Sequence, residues 1–246
     1  MGVRFGGIVA LDSVTLDVSR GAIVGVIGPN GAGKTTLFNC ISRIYPIEQG
    51  DILFDGRSLR ALADHQVAGL GIARTFQNVA LFDTMTVTEN IMLGAHPHLG
   101  RRFLMHALRW LSAARAEAQL AEEVRDLVAV LDLTRVAHRC VSELPFATRK
   151  RVELGRALAS NPRLLLLDEP AAGLNHVEVD ELISLICTIA ARFDLSVLLV
   201  EHHMGLVMRI SHRVVALDFG RKIGDGTPAE VQANPDVVRA YLGSRA

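Results

Sequence analysis

The alternation of apolar and polar residues predicts several strands along the chain. Residues 14–18 alternate, which is typical of a half-buried strand. Four other runs are continuously apolar and rich in Val, Ile and Leu, as in strands that are buried on both faces: 22–27, 164–167, 196–200 and 213–217. A further short strand, at 52–54, ends at a dipeptide that is typical of turns.

Between these runs, the sequence predicts helices. We expect helices at 34–42 and 178–192, and a third that begins near Pro145 and stops at Asn161. Residues 104–131 are rich in Ala, Leu, Arg and Glu, with apolar residues at helical spacing. Strands and helices alternate in the first and last thirds of the chain, whereas the middle third is helical. This order predicts an α/β fold with a mostly parallel sheet and an inserted helical segment.

The first helix is preceded by a glycine-rich loop that matches G-x-x-x-x-G-K-S/T. Such a loop folds around an anion with its N–H groups pointing inward, and the following helix adds its positive end. Lys34 supplies a charge for the β- and γ-phosphates of a nucleotide, and Thr35 supplies a hydroxyl for Mg²⁺. Because a strand precedes the loop and a helix follows it, a purely structural turn is the weaker alternative. The predicted phosphate-binding residues are Gly28, Pro29, Asn30, Gly31, Ala32, Gly33, Lys34, Thr35 and Thr36.

An acidic pair ends the apolar run 164–167. Asp168 and Glu169 would lie at the carboxyl edge of a parallel sheet, where α/β proteins place their sites. Asp168 can reach the shell of a Mg²⁺ ion, and Glu169 can act as the general base that activates water. Alone, such a pair is usually part of a solvated loop. Together with the phosphate loop, it predicts nucleotide hydrolysis.

Composition restricts the class of protein further. Of the 246 residues, 50% are hydrophobic, and 26 Lys and Arg residues balance 26 Asp and Glu residues. A balanced charge argues against broad electrostatic binding to nucleic acid. We find no signal peptide and no apolar run of the roughly 18 residues that a membrane span needs. We therefore expect a cytoplasmic chain with no membrane span and no nucleic-acid partner.

Several further segments resemble the motifs of the ATP-binding subunits of ABC transporters, in particular the branch that imports branched-chain amino acids with high affinity. These segments are 71–78 (the Q-loop), 144–158 (the signature region), 171–175 (the D-loop) and 199–204 (the switch segment). The resemblance covers nearly the whole chain and implies a single ABC ATP-binding domain. It would have a P-loop NTPase, RecA-like core with antiparallel N-terminal strands (1–81 and 163–219), a helical subdomain (82–162) and a C-terminal segment (220–246).

The resemblance also implies roles for individual residues. Gln77 would sense Mg²⁺ and water, and His202 would bond towards the γ-phosphate, completing a catalytic set with Lys34 and Glu169. Phe5 aligns with the ring that stacks on adenine, although a core aromatic is an open alternative. Asn175 would belong to the D-loop at the nucleotide, and the metal ligands would be Thr35, Gln77 and Asp168. The signature loop would complete the site of the opposite subunit and comprises Leu144, Pro145, Phe146, Ala147 and Thr148.

Three departures from the family pattern bear on activity. The chain starts shortly before Phe5, so we expect this ring to lie on a terminal strand that frays. Ala147 replaces a glycine of the signature. If the backbone needs a positive φ there, alanine is strained and Ala147→Gly raises the ATPase rate. His203 replaces the usual Asp, which predicts a turnover that depends on pH. The basic run 149–151 is open to a plainer reading as a solvated helix face.

The resemblance implies MgATP hydrolysis that drives the uptake of branched-chain amino acids, with ATP and Mg²⁺ as cofactors. The partners would be a second ABC ATPase (identical or related), two membrane permeases and an external solute-binding protein. The chain would lie at the inner face of the cell membrane, where 103–111 would offer apolar surface. Open alternatives are another ABC system (for urea, other amino acids or amides, or lipopolysaccharide), a non-transport ABC protein, and a subunit with impaired turnover.

Overall fold

The computed structural model describes residues 1–75, 80–95 and 110–242, with side chains described for all of these except 110–117 and 242. The strands are β1 Val3–Phe5, β2 Ile8–Leu11, β3 Ile23–Ile27, β4 Leu53–Phe54, β5 Arg57–Ser58, β6 Ile72–Arg74, β7 Leu164–Asp168, β8 Ser196–Val200, β9 Arg213–Asp218 and β10 Arg221–Gly226. The helices are α1 Lys34–Ile41, α2 Asp64–Ala68, α3 Val87–Leu93, α4 Trp110–Val130, α5 Phe146–Leu158, α6 His176–Arg192, α7 Met204–Ile210, α8 Pro228–Ala233 and α9 Pro235–Leu242.

A six-stranded sheet with the order β10-β9-β3-β8-β7-β6 forms the centre of the described structure. Its neighbours pair in parallel except for β10, which pairs with β9 in the antiparallel sense. Val200 of β8 is the register partner of Val26 on one side and of Asp168 on the other. The carboxyl ends of β3, β7 and β8 therefore meet at one edge of the sheet, where the loops that follow them converge.

The predicted α/β fold with a mostly parallel sheet is confirmed, and most of the predicted strands are present. β8 has the predicted bounds, and β7 extends one residue further. The strand predicted at 14–18 is wrong, because this segment has no hydrogen-bonded ladder in the described structure. It does keep the alternating burial, with Val14 buried and Thr15 exposed. Both β6 and β10 were missed, since neither is a long apolar run.

The helices of the middle third share their core with the sheet. Gly155 of α5 lies where α3 and the end of α4 converge: a Cβ there would lie 2.7 Å from Leu131 Cδ1 and 2.9 Å from Ile91 Cδ1. A larger residue at this position would require these two side chains to move. Ile91 and Leu131 are fully buried and belong to the same apolar cluster as Leu199 of the sheet. The limits of the core and of the helical subdomain stay predictions.

The first strand is held on both sides. Gly2 N–H donates to Gln49 O (2.9 Å) and Gln49 N–H donates back to Gly2 O (3.1 Å). Val14 N–H also donates to Met1 O (2.9 Å). Beyond these bonds, β1 pairs with β2 as an antiparallel hairpin. These bonds hold the residues on either side of β1, and the expectation that Phe5 lies on a fraying terminus stays a prediction.

In the parts of the chain that the structure describes, no helix has both the length and the apolar character needed to span a membrane. The apolar surface predicted at 103–111 falls outside the described side chains, so it stays a prediction.

Candidate nucleotide site

The glycine-rich loop forms the turn between β3 and α1. Gly28 has a φ of 154° and Gly33 a φ of 100°. A Cβ would lie 2.2 Å from Leu217 O at the first position and 2.7 Å from Ala10 O at the second. Any larger residue would collide with neighbouring backbone at both places. No side chain caps the N-terminus of α1, so its first N–H groups can serve an anion.

A cavity of about 320 Å³ opens over this loop. It brings the loop together with Glu169 and His202, which come from the ends of two different strands. This convergence was predicted for these residues and is what the parallel sheet produces. The lining residues are Ile8, Val9, Ala10, Asn30, Gly31, Ala32, Gly33, Lys34, Thr35, Thr36, Glu169, His202 and Phe219.

Lys34 is folded back onto its own loop. Its Nζ donates to Gly28 O (2.6 Å) and to Pro29 O (2.9 Å). Burial lowers the pKa of Lys34 below its ordinary value, while the nearby carboxylates of Glu169 and Asp168 oppose that shift. The loop thus offers an ammonium group and backbone N–H groups together, a donor set that fits the oxygens of a polyphosphate.

Glu169 and His202 are in direct contact in the lining of the cavity. His202 Nε2 lies 2.5 Å from Glu169 Oε1. Glu169 has a φ of 48°, which is uncommon for a residue with a side chain. Its N–H donates to Val200 O (2.8 Å), which ties this backbone to the neighbouring strand. Strained backbone that the surroundings hold in place is a frequent feature of functional sites.

Glu201 is a residue that sequence reasoning missed. Its carboxylate is 2% exposed and accepts three backbone N–H bonds: from Ala171 (2.6 Å), His202 (2.9 Å) and His203 (3.0 Å). It therefore joins the turn after β7 to the turn after β8 and fixes the backbone of His202. The signal in the sequence was present, since Glu201 directly follows an apolar strand just as Asp168 ends one.

Asp168 lies behind the cavity and is paired. Its Oδ2 accepts from Arg74 Nη2 at 2.7 Å, and both side chains are almost fully buried. Arg74 also donates to Asn39 Oδ1 (2.8 Å) and lies over the Phe38 ring at 5.5 Å. Arg74 was missed as a site residue, although a charged residue next to an apolar pair in β6 was a signal. The role of Asp168 as a metal ligand stays a prediction.

Two family models match the sequence. Residues 11–172 match the model described as ABC transporter, and residues 221–246 match the model described as branched-chain amino acid ATP-binding cassette transporter. The chain belongs to the ABC transporter family of ATPases. The predicted family, ATPase class and use of ATP are thereby confirmed.

Relatives that match nearly the whole chain point to the same branch of the ABC family. The high-affinity branched-chain amino acid transport ATP-binding protein BraF of Pseudomonas aeruginosa is 42% identical over 98% of this chain and 94% of its own length. The corresponding protein LivG of Escherichia coli is 40% identical over the same shares. The crystal structure of the ADP conformation of MJ1267, an ATP-binding cassette of an ABC transporter, superposes with a TM-score of 0.84. It is 27% identical and covers 98% of this chain and 96% of its own.

The signature loop of this ABC cassette leads into α5. Pro145 is the residue before the helix, and no side chain caps the helix N-terminus. Leu144 is buried in the apolar core, so its side chain does not face a ligand, whereas Phe146 is 46% exposed. Ala147 lies within the helix and is not among the residues with a positive φ. The condition for strain at Ala147, a positive φ, is therefore not met in this structure, and Thr148 follows it on the same first turn.

Asn175 and Phe5 are not among the described residues that line the cavity. Asn175 caps α6, where its Oδ1 accepts from Glu178 N–H (3.0 Å). The Phe5 ring packs edge-on against Tyr45 with the ring centroids 5.0 Å apart. Its adenine-stacking role stays a prediction, since other side chains line the described cavity. Gln77 lies outside the described residues.

The plainer reading of the basic run 149–151 was a solvated helix face. The structure does not support this for the whole run. Lys150 is only 8% exposed. Arg149 and Arg151 instead form ion pairs at the surface, with Asp83 (2.5 Å) and Glu181 (2.5 Å) respectively.

A larger cavity, of about 500 Å³, lies elsewhere. Its walls include Leu164 and Ser196, the first residues of β7 and β8. It is therefore at the amino ends of the strands, opposite the phosphate loop, and it shares no lining residue with the candidate site.

Proposed function

We propose that this chain is the ATP-hydrolysing subunit of an ABC importer that couples hydrolysis of MgATP to the uptake of branched-chain amino acids. The observation that carries the hydrolytic part is the contact of Glu169 with His202 in the lining of the phosphate-loop cavity. The assignment of the cargo is based on the relatives, whose names describe branched-chain amino acid transport. No described side chain identifies the cargo by itself.

In this proposal, the chain holds the nucleotide mainly by its phosphates. The loop N–H groups and Lys34 bind the β- and γ-phosphate oxygens, and the ammonium exchanges its two carbonyl partners for those oxygens. Thr35, Asp168 and Gln77 would hold Mg²⁺, which neutralises phosphate charge when it is bound. The apolar side chains at the cavity wall, including Ile8 and Phe219, suit the base of the nucleotide.

The chemical step belongs to Glu169. Its carboxylate takes a proton from the water whose oxygen attacks the γ-phosphorus, and ADP leaves with the electrons of the broken P–O bond. His202 orients this carboxylate through Nε2 and contributes a hydrogen bond to the γ-phosphate. Glu201 in turn fixes the backbone of His202. Hydrolysis is thus assigned to side chains from the ends of β7 and β8.

The proposed importer contains further subunits. The exposed first turn of α5, with Phe146, would face the nucleotide of a second ATPase, either identical or related. Two membrane permeases and an external solute-binding protein would supply the pathway and the cargo. The chain would then sit at the inner face of the membrane, held by contacts with protein. A pull-down of the native complex, with the subunits identified by mass spectrometry, tests this composition.

The hydrolytic assignment is tested with Glu169→Gln, which keeps the shape of the side chain and removes the base. In the complex isolated through a tag on this chain, ATP binding should persist and phosphate release should fall by roughly 10²–10⁴-fold. The matched control is Glu48→Gln, which makes the same chemical change on an exposed residue outside the cavity. Sustained hydrolysis by Glu169→Gln would overturn the assignment of the base.

A further inference from the structure

Lys150 is a buried cation that the hydrolytic scheme does not use. It lies on α5, one turn after Phe146, and is 8% exposed. Its Nζ lies 3.4 Å from Glu169 O and 5.3 Å from the centroid of the Phe146 ring. One ammonium group therefore touches both the residue assigned as the base and the exposed aromatic ring of the signature loop.

The surroundings of Lys150 are strongly acidic. Burial lowers the pKa of Lys150 below its ordinary value, and the carboxylates of Glu153, Glu201 and Glu169 act in the opposite direction. Glu153 and Glu201 are themselves buried, at 5% and 2% exposure. A cation in this position compensates several carboxylates that would otherwise repel one another in a poorly hydrated interior.

The backbone of Glu169 is held at both ends. Its N–H donates to Val200 O (2.8 Å), and its carbonyl faces Lys150 Nζ (3.4 Å). Between these contacts the residue keeps its uncommon φ of 48°. Lys150 thus acts on the peptide group that determines where the Glu169 carboxylate points.

Phe146 connects this arrangement with the surface. Its ring is 46% exposed, so it can be covered by a partner. The ring also packs on the loop after Glu169, because a Cβ at Gly173 would lie 2.9 Å from Phe146 Cε1. A side chain at Gly173 would crowd this ring, and any displacement of the ring changes the environment of the Lys150 ammonium.

We propose that Lys150 is a positioning residue that couples the signature loop to the catalytic base of the same subunit. When the signature face is covered, the Phe146 ring and the Lys150 ammonium together fix the Glu169 backbone for proton transfer. The proposal rests on the proposed function. It adds a connection within one chain, distinct from the contact of the signature loop with the nucleotide of the opposite subunit.

The test compares three variants in the tagged complex: Lys150→Met, Lys150→Arg and the matched control Arg151→Met. Arg151 lies on the same helix and carries the same charge, but it pairs with Glu181 at the surface. We expect Lys150→Met to lower kcat about tenfold or more with KM for ATP within about twofold. Lys150→Arg should recover much of the lost kcat, since it restores a cation above the ring. Arg151→Met should stay within about twofold of the wild type in both parameters.

A double-mutant cycle with Phe146→Leu tests the coupling itself. If the ring acts partly through the ammonium, Phe146→Leu should lower kcat by a clearly smaller factor in the Lys150→Met background than in the wild-type background. Additive effects of the two substitutions would overturn the coupling. Should Lys150→Met prevent folding, as judged by thermal unfolding, Lys150→Gln replaces it, since it keeps a donor for Glu169 O without the charge.

The outcomes separate the two proposals. If the wild-type complex hydrolyses ATP, Glu169→Gln does not, and Lys150→Met keeps kcat within twofold, then only the role of Lys150 is overturned. An equal loss of kcat in Arg151→Met would overturn it too, because a general charge effect would then suffice. If the wild-type complex hydrolyses no ATP, or Glu169→Gln remains active, the proposed function itself fails.

Discussion

Lys34 and Lys150 are two buried lysines with closely similar surroundings. They are 5% and 8% exposed, both contact backbone carbonyl groups, and burial is the largest cause that lowers the pKa of each. They differ in their position relative to the nucleotide cavity. Lys34 lines the nucleotide cavity, whereas Lys150 lies outside its lining, behind the acidic residues. In our proposals, the same chemistry serves ligand binding at Lys34 and the positioning of Glu169 at Lys150.

The largest expected effect separates the two lysines by nucleotide binding. Lys34→Met should weaken ATP binding by roughly 100-fold or more, because two charge-assisted hydrogen bonds to phosphate contribute about 3–6 kcal/mol. Lys150→Met should leave the affinity within about threefold, since its ammonium meets no ligand. Titration of a fluorescent ATP analogue into the full chain measures both. Equal losses of ATP affinity in the two variants would show that the two lysines do not differ in ligand binding.

Glu201→Gln tests the support of the His202 backbone by the buried carboxylate next to Lys150. The carboxylate accepts three backbone N–H bonds, and a carboxamide can accept with only one oxygen. Loss of one such charge-assisted bond is worth about 1.5–3 kcal/mol, so kcat should fall by roughly 10–100-fold with ATP affinity nearly unchanged. Steady-state phosphate release gives kcat and KM. A variant with normal kcat would show that His202 does not need this support.

His203 should make turnover fall in acid by a few-fold. Its Nδ1 accepts from Leu206 N–H (3.2 Å) and so caps α7. The His203 ring lies 6.4 Å from the His176 ring, measured between ring centroids, and the His203 N–H donates to the Glu201 carboxylate. Protonation converts this acceptor into a donor and removes the cap, which costs about 1 kcal/mol, or roughly fivefold. His203→Asp, which keeps a capping oxygen, should flatten the activity profile between pH 6 and pH 8; an unaltered profile would contradict this role.

The smallest effect is expected for Ala147→Gly. Because Ala147 is helical, glycine relieves no strain there and instead destabilises the helix by about 0.5–1 kcal/mol. The ATPase rate of the complex should change by less than about twofold, with a slightly lower thermal unfolding midpoint. A clear rise in rate would revive the idea that the signature loop needs a positive φ in its closed state.

Sequence reasoning worked where one local pattern contains the whole signal. The buried strand at Ser196–Val200 and the phosphate loop were found because apolar runs and glycine spacing are short-range properties. It failed at 14–18, where the alternation predicted burial but could not show whether a pairing strand exists. The bond of Glu201 with Ala171 and the contact of Lys150 with Glu169 span 30 and 19 positions of the chain, which no local window contains.

The central claim is that ATP hydrolysis at Glu169 drives the import of branched-chain amino acids. The direct measurement is uptake of labelled leucine into vesicles that carry the whole complex, with ATP on the side of this subunit. We predict uptake that requires ATP, stops in Glu169→Gln and is competed by isoleucine and valine but not by urea. ATP hydrolysis without leucine uptake, or leucine uptake that persists in Glu169→Gln, would contradict it.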